Sequence, residues 1–175
     1  MPALADVLGH WHEFYMLLGT VAGTLVGLLF VAASVSSGVF TSDRSAPMRV
    51  FLSASVVHFC SILAVSLIVL APVQSSMVCG ALILGCGIIG LAHSGLALRD
   101  AARDGLSAAV DLEDRIWYFA LPVVGYLFVA GSGITLALEL DLGCLALALS
   151  AGMLLVVGIH NAWDITVWII TRRRE

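Results

Sequence analysis

Lysine is absent from this 175-residue chain, and charge of either sign is scarce: 8 basic and 12 acidic residues make up only 11% of it. Soluble domains carry about a quarter charged residues. Charge this sparse excludes an ordinary soluble domain, and arginines this few exclude a basic nucleic-acid surface. The longest polar stretch, Arg99 to Arg115, is too short to build a core of its own. Cysteine is also scarce. Cys60, Cys79, Cys86 and Cys144 form no C-x-x-C pair and read as small apolar packing residues. H-E-x-x-H, G-x-S-x-G and phosphate-loop motifs are all missing, so no enzyme is expected and no cofactor is implied by a motif. No Arg or Lys precedes the first apolar run, and that run exceeds a leader-peptide core, so a secretory signal peptide is not expected.

The chain is instead dominated by apolar residues, with 61% hydrophobic residues and a mean hydropathy of +1.06. A membrane-spanning helix needs about 20 apolar residues. Five stretches meet that length, at about 12–38, 47–72, 76–98, 115–138 and 142–170. The expected fold is all-α: a polytopic membrane helix bundle of five transmembrane helices, with residues 1–175 forming a single transmembrane domain. Pro47, Pro72 and the Glu139-Leu140-Asp141-Leu142-Gly143 segment mark junctions between them. Residues 100–114 read equally as a short interfacial helix or a solvated linker.

The arginines alternate strictly from side to side. Arg44 and Arg49 fall between spans one and two, Arg99, Arg103 and Arg115 between three and four, and Arg172, Arg173 and Arg174 after five. By the positive-inside rule the N-terminus is out and the C-terminus in. Trp11, Phe14 and Tyr15 would anchor the outer end of span one, and Trp117, Tyr118 and Phe119 the inner end of span four. Gly19, Gly23 and Gly27 form a spacing-four ridge suited to close helix packing, within the chain or in a homo-oligomer. Thr20 and Thr24 beside it can donate to backbone or to a neighbouring helix. Gly85, Gly87, Gly90, Gly125, Gly131 and Gly133 thin spans three and four, and Pro122 should kink span four.

Titratable groups interrupt three apolar runs. At 1.5 Å per residue, His58 lies about 13 Å above Arg49, and His93 about 9 Å above Arg99. On the same rise Asp164 lies about 12 Å, and His160 about 18 Å, above Arg172. His160 and Asp164 are i, i+4 neighbours able to touch, and Asn161 can reach Asp164 across i, i+3. Ser55, His58 and Ser61 share one stripe of span two, and Cys79, Cys86 and His93 one face of span three. Each of these has two readings. A buried histidine can satisfy a neighbour's backbone or hydroxyl, and the His160–Asp164 pair can lock helix rotation. Alternatively the set lines an ion or proton path, the common use of intramembrane ionisable groups. At the other face His10 and His12 diverge on a helix, so they read as a surface anchor rather than a metal site.

Trp11-His12-Glu13-Phe14-Tyr15, Leu17-Leu18-Gly19-Thr20, Gly27 to Ala32 and His160-Asn161-Ala162-Trp163-Asp164 resemble a group of small bacterial multi-span integral-membrane proteins. The resemblance covers the two end spans. It implies a bacterial inner-membrane location and carries over no catalytic or binding residue.

Three functions fit these features. The leading one is an oligomeric channel or carrier in the lipid bilayer that moves protons or small cations past His58, His93, His160, Asn161 and Asp164. The second is a non-catalytic assembly or regulatory subunit of a membrane complex. The third is a redox subunit holding haem b through His58 and either His160 or His93.

Overall fold

The computed structural model describes residues 4–36, 45–72, 75–103, 112–140 and 142–172. They form α1 (Leu4–Ser36), α2 (Ser45–Leu70), α3 (Ser76–Arg103), a composite α4 and α5 (Leu142–Arg172). Helix α4 runs without a break through Leu112–Arg115, a π-helical stretch Ile116–Ala120 and Leu121–Ala137. Each of the five expected stretches falls on a helix, and among the described residues four are long and apolar enough to cross a membrane: Gly9–Ser34, Ser76–Asp100, Ile116–Ala137 and Leu142–Asp164. The apolar part of α2, Ala54–Leu70, is shorter. Arg44, Arg173 and Arg174, and most of the 100–114 segment, lie outside the described residues.

The surface matches the composition. Leu17, Phe30, Ile89, Leu149 and Trp163 are each 65–68% exposed. Only 17% of α1's apolar window is buried, against 50% of α5's. Apolar surface this extensive needs a hydrocarbon solvent rather than water.

Successive helices pack side by side, α5 returns to touch α1, and α2 also packs against α5 across the bundle. Helices α2 and α5 therefore carry most of the shared core. In lipid there is no water to exclude, so close approach decides which pairs are tight. The most extensive pairing joins α3 to α4. A Cβ at Gly80 would fall on the Gly133 carbonyl oxygen, and one at Gly87 would lie 2.6 Å from the Ala130 nitrogen. One at Gly90 would fall inside the Tyr126 ring. The two backbones meet where side chains are absent.

The ridge on α1 packs less continuously than its spacing predicts. A Cβ at Gly19 would lie 2.9 Å from Ser66 Cβ, one at Gly23 would reach only Leu63 at 4.0 Å, and Gly27 has no such neighbour within 4 Å. The hydroxyls of Thr20 and Thr24 donate to their own helix, at the carbonyls of Met16 and Thr20. Tyr15, expected as an interfacial anchor, is instead fully buried in the core. Its ring stands edge-on to Phe14, which in turn stands edge-on to Trp11.

Pro122 lies two residues past the π-helical stretch, at whose end the Leu121 N–H bonds the Ile116 carbonyl, five residues back. The wide turn accommodates a residue that cannot donate to the carbonyl four positions earlier. At its other end α4 closes with Glu139 in the left-handed region, φ 58°. The N–H groups of Glu139 and Leu140 bond back to Leu136 and Thr135, so the last carbonyls are capped although the position is not glycine. The Glu139 carboxylate accepts from the Ser76 hydroxyl at 3.0 Å, tying this turn to the start of α3.

Overpacking a tight contact costs about 1–3 kcal/mol. Gly87→Ala should therefore lower the detergent-solubilised protein's melting temperature by several degrees, because the atoms it meets, the Ala130 nitrogen, Cα and Cβ, have no rotamer by which to yield. Gly27→Ala should leave it unchanged or slightly raised. Equal melting temperatures for the two variants would contradict the α3–α4 contact.

Candidate functional site

The polar stripe of α2 faces into the bundle at one end and flanks it at the other. Ser55 is 0% and His58 2% exposed, and Ser61 is half-buried. Across from them stands Tyr126 of α4, also 0% exposed. Its hydroxyl lies 2.9 Å from His58 Nδ1 and 3.1 Å from Ser61 Oγ. The imidazole and phenol rings are tilted at 48° with centroids 5.6 Å apart. Gly90 leaves the room on α3 that this ring occupies. His93, half-buried one turn further along α3, lies within electrostatic reach of His58.

This triad has two proton arrangements over the same heavy atoms. Tyr126 can donate to His58 Nδ1 while accepting from Ser61. It can equally accept from Nδ1–H while donating to Ser61 Oγ. His58 Nε2 is buried and has no hydrogen-bond partner. It carries a proton in the first arrangement and a free lone pair in the second.

Helix α5 supplies the next polar groups. Gly158 packs against the Phe59 ring, where a Cβ would lie 2.6 Å from Cε1. That contact sets the antiparallel register of α2 and α5. One turn toward the arginine-bearing end lie Ser55 on α2 and Asn161 on α5. Asn161 is 0% exposed. Ser55 Oγ and both polar atoms of the Asn161 side chain are without hydrogen-bond partners. Asn161 therefore does not turn to Asp164, as the i, i+3 spacing allows, but into the core. An unsatisfied buried polar atom costs about 1–3 kcal/mol, and here several sit within about a turn of one another.

His160 Nδ1 lies 3.2 Å from Asp164 Oδ2, as the i, i+4 spacing predicts. The pair is 29% and 37% exposed, so it sits on the rim of the buried centre. Its ring stacks on Trp117 with centroids 3.9 Å apart and planes 5° from parallel. Tyr118, the next residue of the π-helical stretch, points its hydroxyl at the Asn161 carbonyl, 3.4 Å away. The wide turn thus brings two aromatic residues against α5. The polar faces of α2 and α5 both meet α4, but at different residues: His58 at Tyr126, His160 at Trp117.

Between Tyr126 and the rest of the core is a void bordered by Ser61, Val65, Cys86, Val129 and Leu154, with no room for a water molecule. Of the imidazoles that could serve as haem b ligands, His58 is held at Nδ1 by Tyr126 with Nε2 unpartnered, and the His160 ring is stacked on Trp117. His10 and His12 are both exposed, and among the described residues no three His, Cys, Asp or Glu side chains group as metal ligands.

Sequence reasoning missed Tyr126 as a site residue. Its signal was a lone phenol in the middle of an apolar run, next to Gly125. Trp117 was read as an anchor, and nothing in its local spacing indicates His160.

Comparison with known proteins finds no matching family model, no matching curated protein and no matching solved structure.

Tyr126→Phe removes the one hydroxyl that His58 and Ser61 share. It should destabilise the folded bundle by about 1–2 kcal/mol in reversible unfolding from micelles. In combination with His58→Phe the losses should be clearly less than additive, since the interaction is already gone. Additive losses would show that the hydrogen bond contributes nothing.

Proposed function

We propose that this chain is a five-span protein of the bacterial inner membrane that moves protons through the His58–Tyr126–Ser61 centre. The observation that carries the reading is the buried triad itself. A histidine, a phenol and a serine share hydrogen bonds that can invert without heavy-atom movement, and the far nitrogen of the histidine is unpartnered. Intramembrane groups of this kind are costly and are usually retained for ion or proton passage.

Protons suit the site better than small cations. Among the described residues no carboxylate bonds to the centre, Asp164 lies with His160 on the rim, and the adjoining void has no room for water. In this reading the half-exposed His160–Asp164 pair exchanges protons at the arginine-bearing end. Ser55 and Asn161 bridge from there toward His58 Nε2. Five spans, with the N-terminus out and the C-terminus in, are supported by the five long helices and by the side-to-side alternation of the arginines. The bacterial inner membrane is supported by the resemblance of the two end spans. A homo-oligomer is the expected form, because the exposed face of α1 around Gly27 leaves a second copy's helix room to approach.

Purified protein in liposomes holding a pH-sensitive dye should acidify or alkalinise the lumen when a potassium diffusion potential is imposed. His58→Phe should reduce the rate at least tenfold. His160→Ala with Asp164→Asn should slow it several-fold. Flux that survives both changes, or no flux in the unaltered protein, would sink the proposal. For topology, a fluorescent reporter fused after Glu175 should glow in the cytoplasm, and alkaline phosphatase inserted at Gln74 should be active.

A further inference from the structure

Two buried polar atoms lie apart from the His58 centre. Tyr15 is 0% and Ser66 1% exposed, and neither side-chain oxygen has a hydrogen-bond partner. They belong to one neighbourhood. Gly19, one turn along α1 from Tyr15, packs against Ser66, and the antiparallel helices then bring Tyr15 within about a turn of it. Cys79 and Cys144 are buried in the same core cluster as Tyr15. This second polar neighbourhood lies toward the end of the bundle away from the arginines.

Ser66 also continues the His58 stripe. Ser55, His58, Ile62 and Ser66 follow the i, i+3/i+4 spacing of one face of α2. Ile62 stands four residues from both His58 and Ser66, about 6 Å along the helix axis each way. Around it Val65, Val129, Ala151 and Leu154 border the void that has no room for water. Ser61 and Tyr126 border the same void on the His58 side, so the two polar regions are separated by a dry apolar layer about one turn thick, from Ile62 to Ser66.

We infer that Tyr15 and Ser66 form a second proton-handling site, in line with His58, and that the layer of Ile62, Val65, Val129 and Leu154 is the barrier between the two. Neutral hydroxyls there can relay a proton by accepting on one lone pair and donating their own hydrogen. The barrier holds the path shut in this conformation, and wetting it joins the two sites. This inference rests on the proton-transfer reading, but the barrier can be tested without any transport measurement.

Cys86 borders the void and supplies the probe. A charged methanethiosulfonate reagent reacts with a hydrated thiolate and not with a dry thiol. The full-length chain in liposomes, with Cys60, Cys79 and Cys144 changed to Ala, should label slowly at Cys86. Val65→Ser should raise that labelling rate at least tenfold and raise proton leak with it. Ala151→Ser, a smaller change, is the second variant should Val65→Ser fail to fold. Cys86 labelling that is equally fast with and without these serines would overturn the barrier. Faster labelling with no proton flux in any form would support the barrier and reject the transport reading. In the wetted variant Tyr15→Phe should cut the leak about fivefold while Cys86 labelling stays high, and an unchanged leak would overturn the second site.

Discussion

The backbone of α3 lies against that of α4 with no side chain between them at Gly80 and Gly87, and the polar centre depends on that contact. With the two axes this close, a tyrosine on α4 fits against α3 only where a side chain is missing. Gly90 gives its ring a place, and the ring carries the hydroxyl across to α2. A β-carbon at any of these glycines would push the helices apart and move the phenol off His58. The hydrogen-bonded centre is thus a product of backbone packing on the far side of the bundle. In lipid, where apolar contact gives no advantage over contact with acyl chains, such shape-determined pairing is the available source of specificity.

The buried polar atoms have the opposite energetic sign. Ser55, His58, Asn161, Tyr15 and Ser66 each hold at least one atom without a partner. A core selected for stability alone would use valine or leucine at those places, as it does at Ile62, Val65 and Val129. The unpartnered atoms fall into two regions, and their neighbours are otherwise well packed: Phe59 against Gly158, Leu154 against Gly125, Gly19 against Ser66. The rim pair His160–Asp164 is the least costly of the set. It is 29% and 37% exposed, and the His160 ring stacks on Trp117.

Local periodicity made much of this legible before any coordinates. Span limits, the contact of His160 with Asp164 and the shared stripe of Ser55, His58 and Ser61 all follow from residues on a single helix, where 3.6 residues per turn suffices. Partners on other helices were not legible. Nothing near Tyr126 says that it meets His58 sixty-eight positions earlier, and nothing near Trp117 says that it covers His160. Asn161 shows the limit most clearly. Its spacing allows a bond to Asp164, but the fit of Gly158 on Phe59 turns that side of α5 inward and buries the amide. The glycine ridge on α1 is similar: spacing four is present throughout, yet only Gly19 has a close partner, since helices that cross diverge after a turn or two.

The π-helical stretch Ile116–Ala120 divides α4 into two segments with different angular phase. A π-turn accommodates one residue beyond the α-helical count, and one residue is about 100° of rotation. The half before it can therefore present Trp117 and Tyr118 to α5, while the half after it presents Tyr126 to α2 and α3. A uniform α-helix would lock those directions together. With the phase offset, the direction of the rim aromatics is set separately from that of Tyr126. The side of the bundle that holds His160 is joined to α2 through α5 itself, by way of the buried Asn161 and the Gly158–Phe59 contact.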